Sequence, residues 1–385
     1  MLKRPRSSMV LRRHRSRVVE LLPHDVVELI LERLPVKSLL RFRSVSENWK
    51  STIDSRHFKE RQFCHRESRG PDVLCVKLTD YGDESDDGPD TDAPSVELGS
   101  SIVSTVRFPT TASNYCHGSC DGLVCLYSLY EESGNVVSNP ATRFHRSFPL
   151  SSFQHLLIDK LKKGELGYGI AQLGFVKDKV RGTFKPVWLY NSSPFGLDNA
   201  TTCEVFDFST NAWRYVVPAS PYRILAHERP VYLDGSLYWF TECEETKLLS
   251  FDLHTETFQV VCKAPFAHVR CPYSVTMCIL DNRLCVSRKN GLTQVIWSLD
   301  SSGGSKTWKK MCSIALTKTF SWFEGDTLLP IAILDKTKLL LHCHGYSQPL
   351  VIHDLHVKSY DLLFKPTKLV GPVCYFESLF SVLSN

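Results

Sequence analysis

The residues that could hold a metal ion lie in two short clusters of this 385-residue chain. Cys116, His117 and Cys120 form the first cluster, but their spacing matches no zinc pattern and no second ligand pair follows. His342 and His344 form the second cluster and would share one face of a strand, where we interpret them as ordinary strand residues. The sequence therefore predicts no metal site and no cofactor.

Two aspartates, Asp207 and Asp252, could form the carboxylate pair of a glycoside hydrolase, but they occupy equivalent positions in an internal repeat. The segments "VFDFSTNAWRYV" (205–216) and "SFDLHTETFQVV" (250–261) align without a gap. We therefore expect each aspartate to cap backbone N–H groups at a hairpin turn of its own repeat. Nucleophile-elbow, phosphate-loop and zinc-protease motifs are absent as well, and the sequence predicts no catalytic residue and no enzyme.

The repeat also indicates the fold of most of the chain. Each copy is typical of a strand, a tight polar turn and a second strand that opens on an aromatic residue, and weaker copies follow at 297–311 and 352–363. Repeats of roughly forty to fifty residues with this content are typical of β-propeller blades. The sequence predicts an all-β propeller of about six blades over 73–385, closed by pairing of a strand near 73–78 with the last strands near 369–382.

A helical pattern precedes the propeller in "LPHDVVELILERLPVKSLLRFRSVSENWKSTIDSRHF" (22–58). Pro23 suits the start of a helix and Pro35 ends it, while apolar residues recur between them at the spacing of one helical face. Short second and third helices follow, and Ser55 is suited to cap one more turn. These helices are too few to enclose a core of their own, so we expect them either to complete a core with a partner or to pack on a larger domain.

This stretch resembles the F-box of the large plant family, because it contains the typical F-box elements in their usual order: LP, an acidic residue, IL, RLPVKSLLRFR, V-S and a Trp. The motifs "GSCDGLVCLYS" (118–128) and "VYLDGSLYWF" (231–240) are similar to the kelch-like F-box-associated domain, although the Gly-Gly pair of true kelch repeats is missing. The resemblance implies a small all-α F-box module followed by an all-β, kelch-like propeller. It also implies that the F-box binds a Skp adaptor, and through it a cullin, with these contact residues: Leu22, Pro23, Ile30, Leu31, Leu34, Pro35, Leu40, Val45 and Trp49.

The function implied by the resemblance is that of the substrate-recognition subunit of an SCF-type (Skp–cullin–F-box) ubiquitin ligase, whose propeller binds a target protein. The target is unknown, and four loops are candidates for binding it: 151–164, 191–201, 218–229 and 263–274. One alternative is a protein-binding or lectin-like propeller that acts as a scaffold outside a ligase. A propeller hydrolase is the other alternative, and it would need convergent carboxylates or a nucleophile–base pair in the central pocket.

The composition divides the chain further. We expect a basic disordered tail at 1–19, the F-box at 20–62, a linker at 63–72 and the propeller at 73–385. Within the propeller we expect an acidic disordered loop at 79–97. The acidic loop does not match the spacing of an EF-hand calcium loop. The basic tail could instead be a nuclear-localisation patch or a mitochondrial transit peptide.

Charge and cysteine use restrict the compartment and the partners. The net charge is +5, much of it in the tail, so we expect no nucleic-acid partner. No run of eighteen apolar residues is present, which predicts no membrane span. The 14 cysteines, mostly in apolar runs, indicate free thiols in a reducing compartment, and we expect the nucleus and/or the cytoplasm.

Overall fold

The computed structural model describes a defined part of the chain: residues 22–77, 96–98, 101–107, 116, 118–130, 132–165, 171–267, 269, 271–301, 306–316, 327–334, 337–342, 349–364 and 370–382. The expected basic tail at 1–19, most of the acidic loop at 79–97, and His117 and His344 lie outside the described residues. The end of the predicted acidic loop is a strand instead of a loop, formed by Val96–Leu98.

Four helices open the described chain: α1 (His24–Leu31), α2 (Val36–Phe42), α3 (Glu47–Asp54) and α4 (Arg56–Glu67). Pro23 and Pro35 are the N-cap residues of α1 and α2, where the missing proline N–H costs no intrahelical bond. Ser46 caps α3 by accepting a hydrogen bond from the Trp49 N–H at 3.1 Å. The predicted cap at Ser55 is present too, since its hydroxyl accepts from the Phe58 N–H at 3.2 Å.

Helix α4 differs from the sequence prediction, because residues expected in the linker at 63–72 are helical as far as Glu67. Phe63 explains the extension: its ring is buried and packs edge-on against Phe376 and Phe380, with centroids 6.2 and 5.6 Å away. These partners lie more than 300 residues further along the chain, so the polar sequence around Phe63 gave no sign of them. The F-box is therefore joined to the propeller by packing as well as by the chain.

The described strands form six four-stranded sheets, which are the blades of a propeller. Blade 1 consists of β4 (Ser119–Cys120), β5 (Leu123–Leu126), β6 (Asn135–Asn139) and β7 (Phe144–Phe148), and blade 2 consists of β8 (Gly174–Lys177), β9 (Phe184–Asn191), β10 (Thr201–Asp207) and β11 (Ala212–Tyr215). Blade 3 consists of β12 (Val231–Leu233), β13 (Ser236–Phe240), β14 (Lys247–Asp252) and β15 (Thr257–Lys263), and blade 4 consists of β16 (Val275–Leu280), β17 (Arg283–Asn290), β18 (Thr293–Asp300) and β19 (Thr307–Ala315). Blade 5 consists of β20 (Leu329–Leu334), β21 (Lys338–His342), β22 (Leu350–Asp354) and β23 (Tyr360–Phe364), and blade 6 consists of β2 (Val96–Leu98), β3 (Ser101–Arg107), β1 (Asp72–Lys77) and β24 (Val370–Tyr375). The predicted fold class, an F-box followed by a propeller of about six blades, is confirmed.

The ring closes as predicted, because the last strand joins the first. Strand β24 pairs antiparallel with β1, with Cys75 opposite Pro372, and β1 also pairs in parallel with β3. The inner strands contact one another around the ring in the order β4, β8, β12, β16, β20, β24 and back to β4. Closure removes the exposed sheet edges that an open array of blades would leave at its two ends.

The antiparallel blades give the propeller two different faces. One face, here called the turn face, carries the tight turns between first and second strands and between third and fourth strands. The opposite face, here called the loop face, carries the turns between second and third strands and the connections from blade to blade. The F-box lies on the turn face, where Ala141 packs against the F-box core and Arg56 lies beside Gly182.

A helix on the loop face corrects the prediction of a loop at 151–164. Helix α5 (Ser152–Lys162) begins with a capping box between Ser151 and Gln154. Both carboxylate oxygens of Glu204 also accept backbone N–H bonds from the first turn of α5, at 2.9 Å each. The signal was present in the sequence, because Phe153, Leu157 and Leu161 are spaced by four residues and pack on the same core.

Candidate functional site

The F-box presents apolar side chains to solvent just before α1, on α1 and on the connection from α2 to α3. Leu22 is 60% exposed, Ile30 48% and Val45 59%, and all three are among the predicted adaptor contacts. Val26 and Leu29 are exposed as well, and sequence reasoning did not select them. Val26 lies three residues before Leu29 and four before Ile30, so the three side chains lie on one side of α1, and this spacing could have identified them. These five residues are called the F-box apolar surface below.

Five other predicted contacts border this surface. Pro23 and Pro35 are exposed, whereas Leu34, Leu40 and Trp49 are partly buried against the F-box core. The Trp49 ring meets Phe42 edge to face, with ring centroids 5.6 Å apart. Their exposed parts extend the apolar area, while their buried parts hold the short helices in place.

Leu31 is a different case, because it lies inside the F-box rather than on its surface. Its side chain is 1% exposed and packs with Val36, Leu39, Ile53 and Phe58. Leu31 lies about 100° around the helix from Ile30 and about 200° from Leu29, so it points away from the exposed side of α1. The sequence motif contains both residues and does not distinguish them. Leu31 therefore supports the F-box apolar surface from behind.

The F-box core is completed by a residue from the far end of the chain. Leu379, which follows the last strand of the propeller, is 7% exposed and joins the buried cluster around Leu31. Asn139 holds this segment from the propeller side, because its side-chain N–H group donates to the carbonyl oxygens of Ser378 and Phe380 at 2.9 Å each. The C-terminal segment 376–382 thus lies between the F-box and the propeller and packs on both.

The repeated aspartates have the structural role that the repeat predicted. The Asp207 carboxylate accepts the Ser209 N–H at 2.7 Å in the turn after β10. Asp252 accepts the Thr255 N–H at 2.7 Å in the turn after β14. Equivalent turns on different blades hold the two carboxylates, and backbone hydrogen bonds occupy both of them. They do not form a catalytic pair.

The described residues contain no group of three or more His, Cys, Asp or Glu side chains arranged to hold a metal ion. Burial raises the pKa of the Cys75, Cys116 and Cys285 thiols to about 12, so they remain protonated at neutral pH. A protonated, buried thiol is a poor nucleophile and a poor metal ligand. Among the described helices, none is long and apolar enough to cross a membrane.

In their described residues, the four loops that were predicted as candidates for target binding lie on the loop face, opposite the F-box. A short 3₁₀ turn, Ser193–Phe195, lies in the second of them, and α5 occupies the first. Arg223, in the third, bridges to its neighbours by donating to Glu242 at 2.9 Å and to Ser193 at 2.6 Å. The central channel also opens within this face, and its cavity has a volume of about 570 Å³.

Comparison with known proteins matches both parts of the chain. The model of the F-box domain matches residues 19–61, and that of the F-box associated beta propeller domain matches residues 75–382. The Arabidopsis thaliana F-box protein At1g11270 is 61% identical over 302 residues, which cover 78% of this chain and 94% of that protein. The Arabidopsis thaliana F-box/LRR-repeat/kelch-repeat protein At1g09650 is 52% identical over 393 residues, covering 96% and 99%.

A third relative, the Arabidopsis thaliana F-box protein At2g34280, is 49% identical over 95% of this chain and 100% of its own. The family matches and the geometry agree, since the F-box match covers α1 to α3 and the propeller match covers all but one of the blade strands from end to end. The chain therefore belongs to the plant F-box proteins that carry an F-box associated β-propeller domain.

Proposed function

We propose that this protein is the substrate-recognition subunit of an SCF-type ubiquitin ligase, acting in the nucleus or the cytoplasm. Its F-box apolar surface binds a Skp adaptor, which connects it to a cullin, and its loop face binds a target protein. The observation that carries the proposal is the exposed apolar side of α1 on a helical module that lies against the turn face. Apolar and aromatic anchors in a compact patch are typical of interface hot spots.

The position of the F-box supports this division of roles. The F-box packs on the turn face through Phe63 and Leu379, so the loop face is left free for a second partner. A rigid connection fixes the distance and direction between the two binding surfaces. Tethering a target near a ubiquitin-charged enzyme raises its effective concentration there. The reaction would then belong to the assembled complex, with no catalytic residue required from this chain.

The test is capture of a purified Skp adaptor by the purified full chain, wild type beside the double variant Ile30→Asp/Val45→Asp. Both positions are about half exposed, so we expect the variant to keep the wild-type unfolding temperature and to lose adaptor capture. Val357→Asp, at a position 74% exposed on the propeller, is the matched control and should capture the adaptor normally. Co-capture of a cullin should follow adaptor capture.

A further variant separates the surface from its support. Leu31→Ala removes a buried side chain and should lower the free energy of unfolding by about 2–5 kcal/mol.

Full capture by Ile30→Asp/Val45→Asp, or no capture by folded wild type, would overturn the proposal. The protein would then be better described as a binding scaffold that acts outside a ligase.

A further inference from the structure

The central channel of the propeller has the size and lining of a small-molecule site. Its volume of about 570 Å³ lies within the usual range of such sites, roughly 300–1,000 Å³. Side chains of the inner strands make its wall mostly apolar: Met277, Leu329, Ile331 and Val373 are among them. At the turn face the channel is bordered by the end of α4 and the connection to β1, including Gly70 and Pro71.

Several charged side chains around the channel are paired. At the turn-face end, Lys179 donates to Asp234 at 2.7 Å. Lys177 and Asp121 form a second ion pair in the same region, also at 2.7 Å. These charges neutralise one another and need no further partner.

Glu67 and Asp281, at the turn-face end, line the channel without an ion pair among the described residues. Arg229 is the one unpaired cation among the described residues that line it. It precedes β12 by two residues, so it lies at the loop-face end of the channel, and it lines the cavity. Arg229 is partly buried, and this burial lowers the pKa of its guanidinium group. Among the described residues, no carboxylate lies within 4.0 Å of the guanidinium and no acceptor is hydrogen-bonded to it. A desolvated charge of this kind is costly unless an anion compensates it.

The neighbouring groups do not supply that anion. Glu228 is adjacent in sequence, but burial raises the pKa of its carboxyl group to about 8, so it is largely neutral at pH 7. The Tyr127 hydroxyl donates to the side-chain oxygen of Gln172 at 2.7 Å. Cys116 keeps its proton at neutral pH for the reason given above. Arg229 therefore lines the channel as a cation that has no ion-paired carboxylate among the described residues.

We propose that the channel binds a small organic acid, with its carboxylate on Arg229 and its apolar body along the channel wall. A guanidinium presents two parallel N–H donors that match a carboxylate, and charge-assisted bonds of this kind are stronger than neutral ones. The apolar wall favours an apolar body over an inorganic anion. At its Arg229 end the binding site consists of propeller residues, so the proposal does not depend on adaptor binding by the F-box.

The test uses the full chain with two defined acids, octanoate and 4-phenylbutyrate, and their uncharged primary amides. Isothermal titration calorimetry and thermal unfolding should show binding of the acids and at least about tenfold weaker binding of the amides. Arg229→Gln should weaken acid binding by a similar factor and leave the amides unaffected. Arg223→Gln is the matched control, because Arg223 belongs to the same connection but bonds Glu242 and Ser193 outside the channel.

A second variant tests the location without touching the charge. Gly118 lines the channel, and a Cβ added there would meet no atom within 4 Å, so Gly118→Phe should fill the channel and leave the fold intact. It should abolish binding of acids and amides alike. Without ligand, Arg229→Gln should unfold at the wild-type temperature or above it, because it removes an uncompensated charge.

Three results would overturn the proposal. The first is a lack of acid binding at about 10 mM, a concentration at which even weak ligands are detected. The second is equal affinity of the wild type for acids and amides. The third is unchanged acid binding by Arg229→Gln or by Gly118→Phe. A clear loss of stability in Arg229→Gln without ligand would show instead that the guanidinium holds the loop face together.

Discussion

The indole N–H of Trp308 donates a hydrogen bond to the carbonyl oxygen of Lys263 at 2.8 Å, which joins the outer strand of blade 4 to the end of the outer strand of blade 3. Trp308 is the aromatic residue that opens its strand, β19, and Lys263 ends β15. The same link recurs between two other pairs of neighbouring blades: Trp213 to Pro149 at 2.8 Å and Tyr360 to Ala315 at 2.9 Å. One position of the repeat therefore connects successive blades.

Trp308→Phe should lower the free energy of unfolding by about 0.5–1.5 kcal/mol, because it removes the donor and keeps an aromatic ring. Trp308→Ala should cost more, because the packing of the ring is lost as well. Urea denaturation of the purified chain gives both values, and their difference separates the hydrogen bond from the packing. A Trp308→Phe protein as stable as wild type would show that water replaces the bond at no cost.

The repeat itself was readable in the sequence, whereas its connections between blades were not. Asp207 and Asp252 could be placed at equivalent turns because their hydrogen bonds are local, two or three residues along the chain. The aromatic residue that follows each turn was also recognised. Its acceptor lies 45 residues or more away, in another blade, and no local pattern specifies a partner at that distance.

The candidate sites show the same division. The F-box motif identified the helices and most residues of the exposed surface, but it did not distinguish Leu31, which is buried, from Ile30, which is exposed. The burial of Leu31 depends on packing between helices and with Leu379, which joins the core from the other end of the chain. Arg229 was missed because an arginine in a polar connection has no pattern of its own. Only ring closure shows that it borders a channel.

The C-terminal segment that joins the F-box to the propeller also constrains Gly122. This residue has a φ of +78°, which favours glycine, and it lies against the segment. A Cβ at this position would collide with the Ser378 hydroxyl and with the Phe376 carbonyl oxygen. Gly134 has nearly the same φ, +79°, but the nearest atom to its added Cβ is 3.6 Å away. The two glycines therefore separate backbone strain from a steric clash.

Gly134→Ala should lower the free energy of unfolding by about 1–2 kcal/mol, the cost of a left-handed conformation for an alanine. Gly122→Ala should lower it by about 1–3 kcal/mol more, because the segment at 376–382 must also shift. Limited proteolysis should cut the F-box of the Gly122→Ala protein faster than that of the Gly134→Ala protein. Equal stability and equal cleavage of the two variants would contradict a tight fit of the segment.

The carboxyl group of Glu228 should make the stability of the protein depend on pH. The group is 6% exposed, and burial raises its pKa from the usual 4.5 to about 8. The folded state therefore keeps a proton that the unfolded state releases above about pH 4.5. The stabilisation is complete below that pH and is lost as the pH rises through about 8. Stability should thus fall as the pH rises from about 4.5 to about 8, and this group should have no further effect above that range.

Between about pH 6 and about pH 9, the wild-type free energy of unfolding should drop by about 2–3 kcal/mol from this group. Glu228→Gln is neutral at every pH, so the corresponding part of the drop should disappear from its urea denaturation curves. Glu245→Gln is the control, because its carboxylate is 65% exposed beside Lys263, and it should retain the wild-type dependence. If Glu228→Gln loses as much stability as wild type over this range, then the Glu228 carboxyl group is already ionised in the folded protein at neutral pH and would compensate the charge of Arg229 from within.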